Sequence, residues 1–240
     1  MKNKHSGHIY RSWKHVFVVI FFVSLPFLYT LLFAEYANIA AGVLAQDFSL
    51  SLLRIMVAYV FSAVIAWICA VLFYRGRAAT ISLPIFDVLQ SFPTFAALPL
   101  AVHVWGVSDT TVVVFLVLTV VWPIFFSIIS SLKLIRDDWQ EAVEVFDLRG
   151  YQYFRKFLLP ASLPGLITGS IIGLGEGWEA LIATEMLVGT PRGLGKFFQT
   201  FADNATVTAL GIFGFLLAVF VINKFVWLSM LEWSHEKMDQ

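Results

Sequence analysis

TTVVVFLVLTVVWPIFFSIISSL, residues 110–132, contains no charged side chain. A helix of about 20 apolar residues crosses the roughly 30 Å hydrocarbon core of a bilayer, so a run of this length reads as a membrane span. Working outward, Val16–Ala34 and Ile55–Tyr74 are equally free of charge. Val207–Asn223 is uncharged as far as Lys224 and its apolar character continues to Met230. Two further runs are interrupted. Ala78–Trp105 carries Asp87 with Pro84, Pro93 and Pro99, and Ala161–Leu187 carries Glu176, Glu179 and Glu185. The sum is an all-α membrane protein with six transmembrane helices.

Composition agrees. Of 240 residues, 59% are hydrophobic, 16% aromatic and only 13% charged, against about 25% charged in an average soluble domain. A water-soluble fold cannot hide that much apolar surface, which excludes a soluble enzyme, a nucleic-acid binder and a disordered chain. One cysteine, Cys69, excludes a disulfide framework and any multi-cysteine metal site. The net charge of zero says nothing of partners, but the placement of the charges does.

Positive charge marks the cytoplasmic side of membrane proteins. With both termini inside, the inner segments hold Lys2, Lys4, Arg11, Lys14, Arg75, Arg77, Lys133, Arg136, Arg149, Arg155, Lys156 and Lys237. The outer loops, 35–51 and 189–206, hold only Arg192 and Lys196. Val16–Ala34 is too long for a signal-peptide core and no clear cleavage site follows, so it is read as a retained helix. The chain thus reads as one domain, 1–240, with a basic cytoplasmic arm at 1–15 and a charged cytoplasmic loop at 133–160.

That loop runs KLIRDDWQEAVEVFDLRGYQYFRKFLLPASLPG, residues 133–165. Asp137 and Asp138 stand where they can cap a helix and complement its dipole. Trp139, Ala142, Val145 and Phe146 then recur on one helical face. Gly150 permits a turn, and Tyr151, Phe154, Phe157 and Leu158 restart a stripe before Pro160 and Pro164 open the fifth span. Two short helices with apolar faces follow, either resting on lipid headgroups or docking a protein.

Here the sequence resembles the EAA loop of ABC-importer permeases. Glu141, Ala142 and Val143 fill the EAA positions. Asp147 stands where the family usually has glycine, with Gly150 three residues later, and Phe154, Leu159 and Pro160 keep the family spacing. Other segments, in order, are similar to nitrate/sulfonate/taurine-type permeases. They are Leu53-Arg54, Gln90-Ser91-Phe92-Pro93, Leu98-Pro99-Leu100, Trp105-Gly106, Trp122-Pro123-Ile124, Trp178, Glu185-Met186 and Gly193-Leu194-Gly195. The resemblance spans about residues 50 to 200.

It implies a type I ABC importer permease fold with a coupling helix between helices 4 and 5. Glu141, Ala142, Val143, Val145, Phe146, Asp147 and Gly150 would form the ATPase-coupling segment. It also implies a second copy of the chain, a separate ATPase subunit holding ATP-Mg, and an extracytoplasmic substrate-binding protein. The chain itself would bind no cofactor and catalyse no reaction. Its substrate would be a small solute of the nitrate, sulfonate or taurine class, or a vitamin precursor. The segment Thr190–Lys196 is not a phosphate loop, because Thr190 and Phe197 occupy positions that need glycine and a hydroxyl.

The fifth span poses two open alternatives. Gly165, Gly169, Gly173 and Gly177 form a small-residue stripe for close helix packing, within the chain or between two copies. Glu176 and Glu179 lie within about 60° of one another on the helix, and carboxylates in a span face protein, a pore or an interface. They are either ion-paired, with Arg54 and Lys224 as available cations, or line a path together with Glu185, Trp178 and Pro93. An ion-coupled secondary transporter or channel using Glu176, Glu179 and Glu185 is the alternative function.

Overall fold

A computed structural model describes residues 21–22, 24–135 and 137–227. The basic arm, the start of the first expected span, Arg136 and Lys237 lie outside the described residues, as do the side chains of Asp137, Asp138 and Ala142. Every regular element among the described residues is helical. In chain order they are α1 (24–36), α2 (Ala41–Phe73), α3 (Gly76–Gln90), α4 (Thr94–Trp105) and α5 (Asp109–Lys133). Then come α6 (Asp137–Val145), α7 (Gly150–Tyr153), a π-helical turn at Phe154–Leu158, α8 (Leu159–Val188), α9 (Leu194–Thr200) and α10 (Ala205–Ile222).

Four helical stretches are long and apolar enough to cross a membrane: Ala41–Phe73, Asp109–Lys133, Gly150–Val188 and Ala205–Phe225. The expected third span is divided. α3 and α4 meet at 79° across residues 91–93. The break falls at Pro93, which has no N–H to continue a helix, whereas Pro84 and Pro99 stay within helices.

One boundary differs from expectation. The second span begins at Ala41, not near Ile55, so most of the expected outer loop at 35–51 is helix. At 33 residues, α2 measures roughly 50 Å and outruns the bilayer core. Asp47 and Arg54 did not end it because both are buried with partners inside the protein.

The glycine stripe decides how the bundle is built. It is a seam within the chain, against α5. A Cβ on Gly165 would lie 2.5 Å from the Ser127 carbonyl oxygen, one on Gly169 2.6 Å from the Ile124 Cα, and one on Gly177 2.8 Å from Val120 Cγ2. Bare glycines let the two backbones touch, and α5 and α8 form the most extensive helix pair in the fold. α1 is tied to α10 instead. The Tyr29 hydroxyl donates to the Leu210 carbonyl at 2.7 Å, and its ring fills the space left by Gly214.

Candidate functional site

Pro93 lines a cavity of about 1220 Å³. The α3–α4 break lines it with Gln90, Phe92, Pro93, Thr94 and Phe95, α5 with Thr119, Trp122, Ser127, Ser130 and Ser131, and α6 with Trp139. From α8 come Thr168, Ile172 and Glu176, each one residue before a seam glycine and so rotated about 100° from the seam. The seam holds α5 and α8 together, and the adjacent face of each is left to wall the cavity. Asp87 also reaches it, its carboxylate accepting from Gln90 Nε2 at 2.6 Å.

At the end of the bundle where α9 packs, a buried polar knot joins four helices. The Arg54 guanidinium of α2 donates to Glu185 Oε1 of α8 at 2.5 Å and forms a pair with Asp109 of α5 at 2.6 Å. Glu185 also accepts from Ser51 Oγ at 2.8 Å and from the Gly195 N–H at 2.8 Å, and Ser51 Oγ accepts from the Leu194 N–H at 2.8 Å. Asp47 receives the Gly193 N–H at 3.1 Å. Glycine is required at 193, where φ is +127° and a Cβ would meet Glu185 Oε2 at 2.6 Å. The Glu185 side chain is fully buried, and every charge in it is met, as a buried carboxylate demands.

The opposite end carries α6. Val145 is 80% exposed and Phe146 74%, apolar side chains with nothing over them. The turn after them closes as a Schellman motif: the Leu148 N–H donates to the Val143 carbonyl at 3.0 Å and the Asp147 N–H to the Glu144 carbonyl at 3.1 Å. That motif needs a left-handed residue, and Asp147 supplies it with φ +46°. Glycine is the usual occupant, and aspartate is among the few others that tolerate the region. Asp147 therefore does the conformational work that a glycine would do at this turn. Gly150, φ +52°, then turns the chain into α7. Tyr74, just past α2, shares a 2.8 Å hydroxyl contact with Tyr153 of α7, and burial raises its phenol well above the usual range.

Of the residues expected along a path, Pro93 and Glu176 line the cavity. Trp178 is buried in the core, its ring 5.4 Å from Phe215 and 6.2 Å from Phe48. Glu185 is in the knot, and Glu179 is exposed and does not line the cavity. Neither expected cation reaches Glu176 or Glu179. Arg54 is held by Glu185 and Asp109, and Lys224 Nζ rests 4.3 Å from the Phe22 ring centre. Among the described residues, no ion pair involves either carboxylate. The hydroxyls of α5 escaped the sequence reading. Their signal was the four-residue repeat Thr119, Pro123, Ser127, Ser131 inside an uncharged span.

Residues 62–231 match the family model described as binding-protein-dependent transport system inner membrane component. The chain is 30% identical over 179 residues to the nitrate import permease protein NrtB of Synechocystis sp., covering 71% of this chain and 65% of that protein. It is 32% identical over 182 residues to the taurine transport system permease protein TauC of Escherichia coli, covering 72% and 65%. It is 27% identical over 179 residues to the bicarbonate transport system permease protein CmpB of Synechococcus elongatus, covering 71% and 64%. The chain thus spans just under two thirds of the length of these relatives. Among solved structures, a chain of the MetNI methionine ABC transporter in an inward facing conformation superposes with a TM-score of 0.69 at 23% identity, covering 80% of this chain and 96% of that one. The fold is that of a type I importer permease.

Proposed function

Because this chain belongs to the family of binding-protein-dependent transport system inner membrane components, we propose that it forms the membrane path of an ABC importer and couples that path to a separate ATPase. The observation that carries this reading is the exposed apolar pair Val145 and Phe146, at the end of a short helix that joins the two walls of the cavity. A surface of this kind is a docking site in search of a groove. The segment from Glu141 through Val143, Val145, Phe146 and Asp147 to Gly150 seats in the ATPase at the cytoplasmic face, with both termini on that side. Lipid surrounds the remaining helices.

A second copy of the chain completes the path, and an extracytoplasmic binding protein delivers the solute. The relatives' names suggest small solutes of the nitrate, taurine and bicarbonate kind, and a vitamin precursor is a further candidate. The chain makes and breaks no covalent bond; ATP-Mg belongs to the partner. Binding of ATP draws two α6 helices together. Because α6 contributes Trp139 to the cavity and joins α5 to α8, the glycine-seamed pair moves as one body and the cavity changes the side to which it opens.

Val145→Asp with Phe146→Asp tests this. The double variant should insert and fold normally, yet lose co-purification with the ATPase and substrate-stimulated ATP hydrolysis. Unchanged hydrolysis in the assembled transporter would overturn the docking assignment. Solute uptake without nucleotide would favour the ion-coupled alternative.

A further inference from the structure

The cavity's lining has a consistent electrical character. Asp87 and Glu176 contribute carboxylates, and among the described residues no lysine, arginine or histidine lines it. Trp122, Phe126, Phe92 and Phe95 supply aromatic faces. Among the described residues, Glu176 has no cation at ion-pair distance and the Asp87 carboxylate accepts from the neutral Gln90 amide alone. Serine and threonine hydroxyls also line the wall and could donate to an anion, but Ser131 Oγ is already committed to the Ala161 carbonyl at 2.9 Å.

An inorganic oxyanion entering this space would face two carboxylates and, among the described residues, no fixed positive charge to receive it. A path that conducts anions is expected to show rings of arginine or lysine instead. A cation meets the reverse: two carboxylates, and ring faces that attract positive charge. The volume, about 1220 Å³, is above the roughly 300–1,000 Å³ of typical ligand sites, so an organic body fits.

We propose that the solute carried through this cavity is an organic cation, a protonated amine or nitrogen heterocycle with a flat apolar body, and that free nitrate and bicarbonate are excluded. This rests on the reading of the cavity as the translocation path and narrows its substrate. In a homodimer the partner copy doubles the carboxylates and strengthens the preference. Glu176 and Asp87 are then specificity-determining residues, acting through their field on whatever enters.

The test measures that field directly. Thr168 lines the cavity two helical turns, about 12 Å, from Glu176. Thr168→Cys, in a Cys69→Ala background, is exposed to a trimethylammonium methanethiosulfonate and, separately, to its sulfonate counterpart at low salt, and mass spectrometry follows the labelling rates. Glu176 at roughly that distance in water should by itself favour the cationic reagent about threefold over its ratio with free cysteine, and Asp87, lining the same cavity, should add to this. Adding Glu176→Gln and Asp87→Asn should return the ratio close to the free-thiol value. Benzyltrimethylammonium should protect the thiol and benzenesulfonate should not. A ratio at or below the free-thiol value, or one untouched by the neutralising substitutions, overturns the proposed selectivity. If neither reagent labels the folded protein while both label it unfolded, no water-filled cavity exists there, and the path assignment itself fails.

Discussion

Glu185 offers the sharpest test of what holds the bundle together. It is fully buried and accepts from Arg54, Ser51 and the Gly195 N–H. Glu185→Ala removes all of these and leaves Arg54 with the Arg192 carbonyl, 3.0 Å from its Nη1, and with Asp109, a carboxylate that is 73% exposed. Breaking a buried pair on one side costs about 3–5 kcal/mol. Because Asp109 still holds one edge of the guanidinium, the lower end, about 3 kcal/mol, is expected. For a chain of this size that corresponds to a fall in Tm of roughly 6–12 °C.

Glu185→Gln keeps the shape and an acceptor for Ser51 but loses the charge, and should cost about 1.5–3 kcal/mol. Pairing Arg54→Met with Glu185→Leu removes both charges, which apolar replacements of buried pairs tolerate well. It should recover most of the loss, short of about 1–2 kcal/mol for the Gly195 N–H and Ser51 hydroxyl left without an acceptor. The assay is thermal unfolding of the purified protein in detergent, followed by tryptophan fluorescence, with the parent, Arg54→Met, Glu185→Leu and their combination forming a double-mutant cycle. A Glu185→Ala protein melting within 1 °C of the parent, or a double variant no better than the worse single, would refute the account of the knot as a structural clasp.

The seam and the turn provide two more tests. Gly169→Ala places a Cβ 2.6 Å from the Ile124 backbone and should cost about 1–3 kcal/mol, whereas Gly175→Ala on the same helix meets nothing within 4 Å and should be neutral or stabilising by up to about 1 kcal/mol; melting curves of the pair read the difference. Asp147→Gly should preserve ATPase coupling, since glycine takes the left-handed φ freely, while Asp147→Val, which meets about 1–2 kcal/mol of strain there, should weaken it at unchanged membrane insertion. Equal coupling in both would separate the turn from its proposed role. The exposed Arg149–Asp147 pair at 2.6 Å should contribute little to either result, as surface pairs do.

Most of the architecture was legible because lipid imposes a one-dimensional rule: long uncharged runs must be helices across it. Residues 110–132 and 207–223 obeyed that rule, and α5 and α10 follow them closely. The start of α2 broke it. Asp47 and Arg54 looked like the edge of a loop, but charge ends a span only when the charge must reach water. Here the partners are Gly193, Glu185 and Asp109, at sequence distances that no local pattern encodes.

The same distinction separates the two kinds of acid in α8. Glu176, Glu179 and Glu185 are alike in a linear reading, all costly residues in an apolar helix. What divides them is the helix's rotation and the chain that packs on each face. The seam glycines fix that rotation: α5 lies against Gly165, Gly169 and Gly173, so Glu176, one residue before Gly177, is turned into the cavity, while Glu185, past the end of the stripe, meets Arg54 and the Gly193–Gly195 loop. The sequence did hold this information, in the phase of glycines relative to glutamates, but reading it required knowing which helix the glycines touch. A Glu buried with an arginine steadies the bundle; a Glu without one leaves its charge to be felt by whatever passes. The absence of a partner for Glu176 among the described residues is thus the more informative of the two, and it turns the search for a substrate from anions toward cations.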